Sequence, residues 1–177
     1  MSVLDSTIDF HFPTTSILTK TIKDILENNE IADNFYLDKQ HIKEVLSKVN
    51  VEELQTQRGE IINPLKGKTS NGWHFEQNVY TQNSILRALK AGGGSGNIPK
   101  IIDLDRKTIR KLTPLECWRA MGCSDEDFYK AQSVNSNTQL YKQAGNAIVV
   151  NVLEGIFSNM PFGKDNKQGS DNYKKYR

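Results

Sequence analysis

A chain of 177 residues with 37% hydrophobic and 25% charged side chains can bury the core of one moderate domain or two small ones, and its net charge of +2 excludes a global basic excess. No stretch approaches the roughly 20 apolar residues that cross a bilayer, and the start, MSVLDSTIDF, lacks the basic flank and apolar run of a signal peptide. The sequence reads as cytoplasmic, with no membrane association. Cys117 and Cys123 have neither zinc-site nor redox-pair spacing and read as reduced structural thiols, so no metal is expected.

Residues 10 to 50 read as helical after a short extended lead-in, FHFP, in which Pro13 prevents the helix from starting earlier. Leu18, Ile22, Ile25 and Leu26 form one stripe. Ile42, Val45, Leu46 and Val49 form a second, with Asp38 as a candidate N-cap. His11 and His41 have no second ligand at metal spacing and read as structural or surface residues. From Glu60 to Leu112 the texture changes to short β-like runs broken by turn residues: EIINPLKG, GWHFEQNVYT, SILRALKA, IPKIIDLD and TIRKL.

Inside this region the charge is uneven. Arg87, Lys90, Lys100, Arg106, Lys107, Arg110 and Lys111 face only Asp103 and Asp105, a local excess of +5. Such a run is either a solvated face or a nucleic-acid surface. Between its members lies AGGGSGN, residues 91–97, which is either a plain hairpin loop or a place where something approaches the backbone closely.

The next helix is well punctuated: Thr113 as N-cap, Pro114 at the first position, Glu116 closing a capping box and Gly122 ending it. SDEDF opens another in the same manner. In QLYKQAGNAIVVNVLEGIF, residues 139–157, Gly145 can take a left-handed conformation and Asn146 can cap an apolar helix that presents Ile148, Val149, Val152, Leu153, Ile156 and Phe157 on one face. That turn is either ordinary punctuation or a helix N-terminus facing a ligand. The polar tail, 161–177, is expected to be disordered.

Taken together, RKLTPLECWRAMGCSDEDF (110–128) and QLYKQAGNAIVVNVLEGIF (139–157) closely resemble the last two motifs, IX and X, of the DNA cytosine-5 methyltransferases. LKAGGGSGNIPKI resembles the end of that family's target-recognition domain, and FHFPTTSILTKTIKDILE the segment by which its chain leaves the catalytic domain. The family's Phe-x-Gly-x-Gly cofactor loop, Pro-Cys nucleophile, Glu-Asn-Val motif and paired arginines do not occur in these 177 residues. The resemblance thus points to the C-terminal half alone.

It implies an α+β fold: a lead-in over 1–28, a target-recognition domain over 29–112 with a short-stranded β region, and helices over 113–160 that would pack on a Rossmann-like methyltransferase domain outside this chain. It further implies that Gly145 and Asn146 contribute to an S-adenosylmethionine site shared with a partner. The recognition domain would read double-stranded DNA through Gln82, Asn83, Gly92, Gly93, Gly94 and Ser95, with Lys90, Lys100 and Lys107 on phosphates. Arg110 is open between a DNA contact and a structural salt bridge. The function expected is the DNA-recognition half of a split or truncated cytosine-5 methyltransferase, completed by a catalytic subunit. The alternatives are an inactive remnant or fragment and a non-catalytic DNA-binding module.

Overall fold

The computed structural model of the protein describes residues 11–15, 17, 19–37, 40–47, 61–62, 79–91 and 97–160. They divide into two compact units, one comprising residues 18–149 and the other residues 1–17 with 150–177. The fold is mixed α and β.

In the larger unit, four short strands form a sheet in chain order: β1 (Ile61–Ile62), β2 (Val79–Tyr80), β3 (Lys100–Asp103) and β4 (Thr108–Lys111). β1 pairs antiparallel with β2, β2 parallel with β3, and β3 antiparallel with β4, with Ile101 opposite Arg110 and Ile102 opposite Ile109. The β3–β4 turn is held by Asp103, whose Oδ1 accepts from the backbone N–H of Asp105 and Arg106, both at 3.0 Å. Lys107 completes it in a left-handed conformation, φ 47°.

The alternation of strand side chains sends Val79, Ile102 and Ile109 to one face, where Ile42 and Leu46 of helix α1 (Gln40–Ser47) cover them. Tyr80 and Ile101 point to the other face and meet Ile22, Ile25, Leu112, Cys117 and Ala144. The predicted first helix is reduced to a single 3-10 turn, Ile22–Ile25. Its backbone is claimed by the loop after β2, since Ile22 N–H donates to Ser84 O and Lys23 N–H to Gln82 O, at 3.0 and 2.8 Å. Ile22 and Ile25 still fill the core, so the stripe was meaningful although the period was not.

Three helices follow: α2 (Pro114–Ala120), α3 (Asp125–Gln132) and α4 (Asn137–Asn146). The punctuation expected for α2 is present in full: Thr113 accepts from the Glu116 N–H, Glu116 accepts from the Thr113 N–H, and Gly122 sits at φ 80° just beyond the end. Ser124 caps α3 and Ser136 caps α4. Leu115, Phe128 and Leu140 make a small core among these helices, with Trp118 meeting Phe128 edge-on at 5.6 Å. The Trp118 indole donates to Leu140 O and the Tyr141 hydroxyl to Leu112 O, at 3.0 and 2.6 Å.

Two expectations are corrected here. SILRALKA forms no strand: residues 85–90 have no regular structure, and Leu86 and Leu89 lean on the core that contains Ala144. Gly145 and Asn146 do not form a turn in front of an apolar helix; they are the last residues of α4, and the chain becomes extended only at Ala147. Gly145 accordingly has no left-handed φ.

In the smaller unit, α5 spans Val150–Ser158. Pro13 lies against it at Gly155, 3.5 Å from where a methyl group there would stand, and Asn159 donates to His11 O at 3.2 Å. No α5 residue is buried. The expected Asp38 cap, Leu18, Val49 and the 161–177 tail lie outside the described residues.

Candidate nucleic-acid and cofactor interface

The loop after β2 is a tight turn, closed by Ser84 N–H to Thr81 O at 3.1 Å and by the buried hydroxyl pair Thr81–Ser84 at 2.9 Å. This turn carries Gln82 and Asn83, both half-buried, while Gln82 also lines a cleft of about 370 Å³ with Tyr36, Asp103, Arg106 and residues 26–31. Lys90 is exposed further along. Gly92, Gly93, Gly94 and Ser95 lie outside the described residues.

Much of the basic run is engaged by partners within the chain. Arg110 is only 4% exposed and makes two 2.7 Å contacts with the Glu116 carboxylate. The expectation of a DNA contact from Arg110 is therefore corrected in favour of the salt bridge: strand alternation turns it inward, and a buried guanidinium needs a counter-charge. Lys100 is likewise 5% exposed, with Nζ 3.4 Å from Ile98 O, so its expected phosphate contact is not offered by this arrangement. Arg106 binds Asp33 at 2.6 Å and Glu30 at 3.2 Å and lies 4.4 Å over the Tyr36 ring. Arg87 donates to Ala88 O and Asn97 O at 2.9 and 2.5 Å. What stands out into solvent from the expected phosphate-binding set is Lys90 and Lys107.

Glu116 is the electrostatic centre of this region. Fully buried, its two oxygens receive four donors: both Arg110 nitrogens, the Thr113 N–H at 2.8 Å and the Glu27 N–H at 3.1 Å. The Thr113 hydroxyl in turn bonds the Glu27 carboxylate. Arg119 adds a second brace, gripping Asp125 with two contacts and donating to Leu26 O at 2.9 Å. Its cation holds the Asp125 carboxyl below the usual range. Capping boxes are legible in sequence, but nothing local reveals that the capping glutamate also neutralises a strand arginine.

Tyr36 is the group here with a testable pH signature. Burial, then the hydrogen bond to Asp103 at 2.7 Å, pushes its phenol from 10.0 up to about 12. The folded state thus holds this proton where the unfolded chain releases it. The contribution to stability is whole below pH 10 and is lost as pH rises from 10 towards 12. Melting temperatures measured for the parent and Tyr36→Phe should converge over that window, whereas a constant difference would show the phenol to be unlinked to folding.

At the other end of the site, Asn146 is exposed at the C-terminus of α4. This inverts the expected electrostatics, because a helix C-terminus presents carbonyls and favours positive charge. Gly145 is half-buried and faces inward. A methyl group on it would lie 2.4 Å from Ala91 N and from Lys90 C, and 2.6 Å from Lys90 O. The structure therefore brings Gly145 and the Lys90–Ala91 backbone together, and gives Gly145 an intramolecular contact that sequence reading did not foresee.

A sequence profile of the C-5 cytosine-specific DNA methylases matches residues 2–161. The chain belongs to that family. Among its relatives, the orphan methyltransferase M.SPBetaI of Bacillus phage SPbeta is 29% identical over 208 residues, covering 90% of this chain and 46% of the relative. Type II methyltransferase M2.ScrFI of Lactococcus lactis subsp. cremoris is 32% identical over 90% of this chain and 39% of its own length. For type II methyltransferase M.HhaI of Haemophilus parahaemolyticus the figures are 31%, 86% and 43%. The chain thus spans less than half the length of these methyltransferases. The crystal structure of S. pombe Dnmt2 methyltransferase superposes on 80% of the chain and 41% of its own, with a TM-score of 0.50 at 17% identity, which shows a shared fold.

Proposed function

We propose that this chain is the DNA-recognition half of a DNA cytosine-5 methyltransferase, positioning double-stranded DNA and completing the S-adenosylmethionine site of a catalytic domain on a separate subunit. The exposed apolar side of α5 carries this reading: Val152 and Phe157 are 53% and 52% exposed, a surface that a soluble protein normally covers. Family membership supports it.

In this reading residues 29–112 are the recognition domain, 113–160 carry the helices directed to the partner, and 1–28 are the lead-in. Gln82 and Asn83, on a braced turn, address base edges together with the segment Gly92–Ser95, and Lys90 addresses phosphate. S-adenosylmethionine supplies the methyl group when bound. Asn146 offers a carboxamide to that cofactor, and the carbonyl end of α4 suits the cationic sulfonium and ammonium groups rather than the carboxylate. The target cytosine would leave the base stack to reach the partner's pocket, and the setting is the cytoplasm.

Co-expression with a catalytic half that contains the cofactor loop, the Pro-Cys nucleophile and the Glu-Asn-Val motif should yield one co-eluting species that transfers labelled methyl groups to DNA. Separate elution with no transfer would overturn the proposal and leave an inactive remnant.

A further inference from the structure

Gln82 and Asn83 owe their placement to an element that has so far been given no part in recognition. The carbonyls of the residues flanking Asn83 are both occupied: Ser84 O accepts from the Ile22 N–H at 3.0 Å, and Gln82 O from the Lys23 N–H at 2.8 Å. These N–H groups open the 3-10 turn Ile22–Ile25, where a helical turn has no partners of its own to offer them. The turn that carries Gln82 and Asn83 therefore hangs on the front of the 3-10 turn. At the back, Ile25 O and Leu26 O accept from Nη1 of Arg119 at 3.3 and 2.9 Å. Arg119 is itself held along its other edge by Asp125, Nε to Oδ1 at 2.8 Å and Nη2 to Oδ2 at 2.6 Å. The Glu27 N–H, donating to Glu116 Oε1 at 3.1 Å, is a second grip from α2.

Four residues are too few to hold a helical turn by themselves. Ile22 and Ile25 are buried with Tyr80, but apolar contact is non-directional and does not aim an N–H group. The direction is set from the ends. A guanidinium suits the task at the back, because its planar fork meets a carboxylate along one edge and keeps a nitrogen for the carbonyls, which a lysine ammonium does not reproduce.

We propose that Arg119 is a positioning residue for DNA recognition: held by Asp125, it fixes the back of the 3-10 turn Ile22–Ile25, whose leading N–H groups fix the carbonyls around Asn83 and so aim Gln82 and Asn83 at the bases. The inference rests on the function proposed above and deepens it. Residues 22–27, counted there with the lead-in, belong on this reading to the recognition apparatus.

The test uses the assembled, methylating enzyme. Methyl-transfer kcat/KM is measured on cognate DNA and on DNAs altered at each base pair of the site in turn, for the parent, Arg119→Lys, Phe128→Leu and the double variant Gln82→Ala with Asn83→Ala. The double variant identifies the base pair that the turn reads, as the one where the cognate-to-altered ratio collapses. Arg119→Lys should lower the ratio at that same base pair at least five-fold and change it less than two-fold elsewhere. Phe128→Leu loosens the small core shared with Leu115 and Leu140, and should lower the melting temperature while leaving every ratio alone. An even loss over all DNAs in Arg119→Lys, or a lowered ratio in Phe128→Leu, would make the effect one of stability and overturn the inference. Should Arg119→Lys fail to fold, Asp125→Asn, which weakens the grip on Arg119 and leaves its donors in place, is expected to show the same pattern. A selective parent and a relaxed double variant, with ratios untouched by the change at Arg119 or Asp125, overturn the inference alone. Unchanged ratios in the double variant remove the turn from base reading and the inference with it, and an assembly that methylates no DNA overturns the function proposed above.

Discussion

Replacing Glu116 by alanine is expected to lower the unfolding free energy by about 3–5 kcal/mol, the cost of leaving one member of a buried ion pair without its partner. The reason is specific to this carboxylate. Arg110 would remain 4% exposed with no acid to match it, since Asp103 stands 3.9 Å from its Nε at the edge of contact. The N–H groups of Thr113 and Glu27 would lose their acceptor at the same time, and loss of the capping box adds about 1 kcal/mol. Urea unfolding followed by tryptophan fluorescence reads the effect. A shift under about 1 kcal/mol would place the pair among exposed salt bridges and refute the assignment. The double variant Arg110→Met with Glu116→Leu should recover part of the loss, because two apolar groups in place of a buried pair are tolerated better than a lone charge. It should not recover all of it, because the helix cap stays missing.

Replacing Val152 by aspartate should have the opposite profile, leaving the chain as stable as before and abolishing methyl transfer by the assembled enzyme. Val152 is 53% exposed, so the substitution falls within the roughly 0.5 kcal/mol typical of surface changes. Docked against a partner, the same position would forfeit about 1.5–3 kcal/mol of side-chain burial and force a carboxylate out of water. At least a hundred-fold loss of affinity is expected. Co-elution and transferred methyl label measure it, with the melting temperature of the chain alone as the control. Undiminished association would mean that α5 is not the docking element.

What the sequence made legible was chiefly local chemistry. Thr113, Pro114, Glu116 and Gly122 announced α2 because each acts on backbone groups within one turn of itself. Ser124 announced α3 likewise. The misreadings share a different cause, which is that a distant element decided the outcome. The Gly-Asn pair looked like a break, but packing of Ala144 and Gly145 against the sheet and the 90–91 chain carries α4 through both residues. SILRALKA reads as a short β-like run, yet residues 85–90 take no regular structure, and Leu86 and Leu89 pack on the cluster that contains Ala144 of α4. Arg110 and Lys100 count as surface charge in any tally of the sequence, and only the register of β3 against β4 shows that both face inward. Of the expected site residues, Gln82 and Asn83 are half-buried, Lys90 and Asn146 are exposed, and Gly145 packs on the 90–91 backbone.

Among the described strands, β2 and β3 alone run parallel, so the chain must travel out and back between Tyr80 and Lys100 before the ladder resumes. A detour of this kind separates two kinds of inheritance. The register of the ladder is set by the residues that precede and follow the detour. Descendants of this chain can change vocabulary while keeping their grammar.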